Sequence, residues 1–307
     1  AVTSYRTAEA VAILDELQGQ HSPEISLLRA LVAQHQGDHE VVVVELEGLG
    51  ADPHVVQLRD AAVAALRWLG EAREVRSEHF RVRYADGVDR IMVETALDVL
   101  ERSHDAVGRD LGLYPDGTVV VDIYPSSEAF STAAGLPPEA VANETVGLCR
   151  WDRLLITSPA AAPFGYPWAD TLCHEYTHLV VNRIGGGAVP VWLHEGVASF
   201  EARRWRGETV RVMDPFATAQ LLEALDEEHL VTLAEIGDCL ACLDGKDRVQ
   251  LAFAQVHFMV DHLIRARGMD AMRAVLEAVR AGAPVEDAVG AAWGDGFEAF
   301  DRSWQEA

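Results

Sequence analysis

Residues 171 to 180 read TLCHEYTHLV, and within them His174, Glu175 and His178 have the types and spacing of a site that activates water on a metal. On a helix, side chains four apart stand one turn above each other on the same face. His174 and His178 can therefore aim both imidazoles at one cation. Glu175 is turned by about 100° from His174, so it flanks that cation instead of binding it. From there its carboxylate can take a proton from coordinated water, whose pKa zinc lowers toward ~7. The competing account is three polar residues on an ordinary surface helix. Leu172, Cys173, Leu179, Val180 and Val181 argue against it, because they make the helix a buried one, where two histidines without partners are costly.

A catalytic zinc needs a third protein ligand and keeps its fourth position for water. The segment PVWLHEGVASFEA places Glu195 17 residues after His178, on the next helix and across a glycine-rich turn. A helix, a short turn and an antiparallel helix bring such positions face to face, and Gly196 leaves room for close packing beside the metal. His194, adjacent to Glu195 on a helix, points elsewhere and is expected to support the site without ligating. Asp170, one turn before His174, and Ser199, one turn after Glu195, have the same standing.

With both motifs in place, the sequence resembles the gluzincin metallopeptidases, the superfamily that contains thermolysin and the aminopeptidase-N branch. It is most similar to the small bacterial peptidase-MA-like domains, whose second motif W-L-x-E-G-x-A is met here by Trp192, Leu193, His194, Glu195, Gly196, Val197 and Ala198. The resemblance covers residues 76 to 305. It implies one zinc per chain held by His174, His178 and Glu195, with Glu175 as general base and proton shuttle. It also implies a peptide or protein substrate lying along the edge strand of a small sheet. LAFAQVHFMVDHLIRARG resembles the family's Y-A-Q-S helix, with Phe253 where tyrosine is usual, and no tyrosine follows Tyr176. The family's donor to the oxyanion is thus missing, and His257, one turn beyond Phe253 on nearly the same face, is the candidate to replace it.

The elements that must position these residues fall into three parts. Residues 1–75 read as helices only. SPEISLLRALVAQHQGD and DPHVVQLRDAAVAALRWLG each open with a capping residue and a proline at the first helical position. Their spacing near 30 residues is similar to degenerate tetratricopeptide-type repeats, which the resemblance also allows; a capping helical layer packed on the next domain accounts for them equally well. Residues 76–184 hold a strand at Phe80, Val82 and Tyr84, a helix from about Val88 to Leu111, and the apolar strand GTVVVDIYPS. A hairpin or edge strand over 147 to 159 and the active-site helix complete this part. Residues 185–307 read as helices, ending with a long amphipathic one and two shorter ones. The expected class is α+β: a zincin-like small mixed sheet with an active-site helix and a helical C-terminal subdomain, preceded by an all-α, repeat-like segment.

The balance of 49 acidic against 25 basic side chains, a formal charge of −24, repels phosphate backbones and anionic lipid. Nucleic acid is not an expected partner, and no apolar run approaches the ~18–20 residues of a membrane span. No positively charged start followed by an apolar stretch is visible, and the compartment is left open. Cys239 and Cys242 are expected to form a loop disulfide or to remain plain thiols, and Cys149 and Cys173 to be buried thiols. A reading from another class remains: a scaffold whose N-terminal helices hold a protein partner, with a structural or vestigial zinc site. A purely structural site has no use for Glu175, whereas the absent tyrosine speaks for it.

Overall fold

Ser22 and Asp52 each cap a helix that opens on proline. Ser22 Oγ accepts from the Ile25 amide at 3.3 Å, and Asp52 Oδ1 from the His54 amide at 2.9 Å. A computed structural model describes residues 7–17, 19–69, 72–207 and 213–307; the junction at residues 70 and 71 lies outside them. Four helices come first: α1 (Thr7–Glu16), α2 (Pro23–Gln36), α3 (His39–Leu46) and α4 (Pro53–Leu69). Ala30, Ala33, Val42, Leu46, Val55, Leu58 and Ala62 from the last three make one buried cluster, and Trp151 packs against it.

By packing, the described chain forms two units, each discontinuous in sequence. The first comprises residues 1–101, 116–136 and 146–175; the second comprises 102–115, 137–145 and 176–307.

The first unit holds the sheet. Its strands are β1 (Arg73–Arg76), β2 (Phe80–Tyr84), β3 (Val119–Tyr124), β4 (Gly147–Arg150) and β5 (Arg153–Thr157), in the order β1-β2-β3-β5-β4. The three inner strands are parallel and the two edges antiparallel, so the sheet is mixed and the class is α+β, as the patterning implies. Phe80, Val82 and Tyr84 are buried in alternation, while every residue of β3 is buried. β1 is not legible in the sequence because Arg73-Glu74-Val75-Arg76 has no apolar alternation; pairing with β2, Val75 opposite Val82, makes it a strand. β4 and β5 form a hairpin through Trp151 and Asp152, whose φ of 55° and 59° suit the two-residue turn that follows strand twist.

A buried ionic network ties β2, β3 and β5 to α2. Asp122, fully buried, receives Arg83 through Nε at 2.6 Å and Nη2 at 3.0 Å, and also pairs with the fully buried Arg153. Arg153, Arg83 and Arg81 then donate to the carbonyls of Gln34, Gly37 and Gln36 at 3.1, 2.9 and 2.6 Å. Two cations on one carboxylate leave positive charge in excess, and Arg81 pairs with Glu74 instead; the carbonyls at the negative end of α2 supply the remaining acceptors. His39 joins the network, with Nδ1 on Gln34 Oε1 at 3.2 Å and Nε2 3.3 Å from Arg83.

The helix expected from Val88 starts as a 3-10 turn over Val88–Ile91 and becomes α5 (Val93–Leu111), which runs on into the second unit. Two helices too short to show periodicity, α6 (Ser127–Ala134) and α7 (Pro138–Ala142), precede β4. The first unit closes with the opening turns of α8 (Trp168–Gly185). The second unit continues with α9 (Val191–Glu201), α10 (Pro215–Asp226), α11 (Leu233–Ile236) and α12 (Lys246–Arg267). Three helices come after α12, not two: α13 (Met269–Arg280), α14 (Val285–Trp293) and α15 (Phe297–Gln305). Gly268, the turn at 281–284 and the stretch 294–296 separate them. Cys239 and Cys242 form a disulfide, and the carbonyls of Ala241 and Leu243 beside it accept from Asn143 Nδ2 at 2.8 and 3.0 Å. Cys173 is buried as expected, but Cys149, on an edge strand, is only half-buried. No helix among the described residues is long and apolar enough to cross a membrane.

Candidate metal centre

α8 is buried along most of its length, although polar residues are interspersed among its apolar ones. Leu172, Cys173, Tyr176, Leu179, Val180 and Val181 are fully buried, so this helix runs through packed surroundings. On it His174 is half-buried, while Glu175 and His178 are 5% and 8% exposed. Asp170, also buried, stands one turn before His174. The division between the two units falls inside α8, between Glu175 and Tyr176.

In the second unit α8 ends at a turn where Gly186 and Gly187 take φ of 64° and 78°, and α9 begins after Pro190. Glu195 thereby comes opposite His178, with Oε2 3.3 Å from His178 Nε2. Two ligands each ~2.0–2.1 Å from a tetrahedral zinc stand about 3.3–3.4 Å apart, so this pair has the separation one ion requires. His174, His178 and Glu195 each offer an atom within 4.8 Å of the others, the one such cluster among the described residues. Two imidazole nitrogens and a carboxylate oxygen suit zinc. Gly196 is where α9 meets α12: a Cβ there would stand 2.6 Å from the Val256 carbonyl oxygen. Only glycine permits this approach, and it seats Glu195 on a fixed backbone.

His194 is not one of the three clustered residues, but its ring contacts one of them. Its Nδ1 bonds to Nδ1 of His178, and its Nε2 to Asn182 Oδ1 at 2.8 Å. The nitrogen of His178 that faces Glu195 is therefore the one outside this contact.

Glu175 has its own setting in the first unit. A Cβ on Gly147, the first residue of β4, would lie 2.6 Å from Glu175 Oε1 and 2.7 Å from Thr171 Cγ2. The carboxylate thus lies flat against the backbone of the sheet's terminal strand. The same end of the sheet holds Tyr166. Its hydroxyl donates to the Thr157 carbonyl, and the Thr157 amide donates to the Val146 carbonyl at 2.8 Å. Burial, then the charges of Glu175 and Asp89, push the phenol well above its ordinary range, so it stays protonated.

His257 lies on α12, outside the three-residue cluster. Its ring packs against Phe200 with centroids 6.2 Å apart, and the Ser199 backbone accepts a hydrogen bond from it. Burial holds the imidazole below its usual range, so it is neutral. A neutral imidazole has a single N–H, and here Ser199 engages it.

Gly147, Tyr166 and Asn182 escape a reading from sequence. Asn182 alone had a local signal, since His174, His178 and Asn182 form an i, i+4, i+8 stripe.

Residues 104–307 match the family model of the peptidase MA superfamily, and the chain belongs to that superfamily. No curated protein matches the chain.

Proposed function

We propose that the protein is a zinc-dependent peptidase that cleaves peptide bonds without a covalent intermediate. One observation carries this reading: two imidazoles and a carboxylate converge within 4.8 Å, next along the chain from a glutamate that is buried yet placed to do proton chemistry. A structural zinc site would need the first three and not the fourth.

His174, His178 and Glu195 would hold the metal. When bound, zinc supplies a Lewis acid for the scissile carbonyl and lowers the pKa of coordinated water. Glu175 would take a proton from the attacking water on a carboxylate oxygen and later deliver it to the leaving amine. Gly147, having no Cβ, leaves the space that the carboxylate fills. β4, last in the sheet order, is the strand to which an extended substrate would add, main chain to main chain. The superfamily and the cluster support the reading. So does the burial of Glu175, since a carboxylate is rarely buried without purpose.

The test is metal analysis followed by profiling on a mixed peptide library. About one zinc per chain and cleavage that stops on chelation and returns with zinc are expected. A chain that takes up no zinc when purified with it present overturns the proposal.

A further inference from the structure

Asn182, His194 and His178 form a chain of hydrogen bonds that can run in two senses, and the sense in which the Asn182 oxygen faces His194 leads a lone pair into the metal cluster. Asn182 sits one turn after His178 on α8, 8% exposed like His178 itself. Its Oδ1 faces His194 Nε2 at 2.8 Å. A carboxamide oxygen only accepts, so His194 Nε2 carries the hydrogen. The neutral ring then has its lone pair on Nδ1, which faces Nδ1 of His178. Two lone pairs cannot bond, so His178 carries its hydrogen on Nδ1. Its Nε2, 3.3 Å from Glu195 Oε2, is left with the lone pair that a metal needs.

We infer that Asn182 and His194 are positioning residues which set the tautomer and ring orientation of His178 for metal binding. The inference rests on the metal centre proposed for His174, His178 and Glu195. The logic has one alternative sense. With the Asn182 amide turned over, its NH2 donates to His194, the hydrogen moves to His194 Nδ1, and His178 ends with its hydrogen on Nε2, facing Glu195. That sense cannot ligate, and a bound cation selects the first. A metal-ligating histidine usually leans on a carboxylate, a carbonyl or water; here a second imidazole and a neutral amide take that place. The supporting group is therefore uncharged, and it holds His178 by direction, not by an added negative charge.

The experiment is equilibrium zinc affinity of the full chain, measured by competition with a chelating dye, with circular dichroism and thermal melting of the metal-free proteins as the check on folding. Asn182→Leu and His194→Phe should each weaken zinc by about 10- to 100-fold. The double variant should be no weaker than the poorer single one, because both act through one chain of bonds. Asn182→Asp, which keeps the shape and the accepting oxygen, should bind zinc at least as tightly as the parent and guards against a folding artefact. Parent-like affinity in both single variants, or losses that add in the double, overturns the relay. A parent that binds no zinc overturns the relay and the metal centre together. If affinity shows the expected pattern but the parent cleaves no peptide, the relay stands and the peptidase reading falls.

Discussion

A methyl group added to Gly147 would stand 2.6 Å from Oε1 of Glu175. The two residues lie 28 positions apart, on the terminal strand of the sheet and on the helix that carries both proposed histidine ligands. The backbone of β4 thus forms one wall of the space that holds the proposed general base.

Gly147→Ala tests that wall. The added carbon must push the carboxylate or the strand aside, and a misplacement near 1 Å can cost about 10² in rate. Turnover should fall on that scale while zinc content stays at the parent level, because the three atoms nearest the added carbon belong to Glu175 and Thr171, neither of them a proposed ligand. Parallel kinetic and elemental analysis reads both quantities.

Glu175→Gln and Glu195→Ala should separate chemistry from metal binding. The first keeps size but cannot accept a proton. It should hold zinc like the parent and lose about 10² or more in kcat. The second removes a ligand and should release most of the zinc. A Glu175→Gln protein as active as the parent would end the general-base assignment.

His257→Phe distinguishes two roles for a residue that touches Ser199 and Phe200. The geometry predicts a lower melting temperature, on the order of 1 kcal/mol for a lost buried hydrogen bond, with kcat close to the parent's. A fall of about 10²–10³ in kcat at unchanged melting temperature would instead mark it as the donor to the oxyanion.

His39 predicts how stability varies with pH. Burial first, then the cations Arg153, Arg83 and Arg81, hold its pKa down at about 2, against ~6.5 in the unfolded chain. Below pH ~6.5 the unfolded chain binds a proton that the folded chain refuses, so this group's contribution declines as pH falls. The loss is about 1.4 kcal/mol per pH unit, or roughly 2 kcal/mol between pH 6.5 and 5. Urea unfolding at pH 7 and pH 5 should show this loss in the parent and a shallower one in His39→Gln. Equal slopes would mean that the network opens to admit the proton.

The sequence by itself determined the features that arise from local periodicity and motif spacing. His174, Glu175 and His178 were legible because helix geometry converts a spacing of four into a shared face without reference to the rest of the chain. Glu195 was legible because a glycine-rich turn and a second motif point back across a short loop. Phe80, Val82 and Tyr84 were legible through their alternation. Only the tertiary structure decided the features that depend on distant segments meeting. β1 became a strand through pairing with β2, since its own residues carry no strand pattern. Gly147 was set against Glu175 by the sheet register and the packing of α8. His178 met His194, and through it Asn182, in bonds that cross from one helix to another. His257 turned its N–H to Ser199 because α12 packs on α9 at Gly196. A helix fixes where a side chain points around its own axis, whereas the partner it meets there depends on which backbone folds alongside.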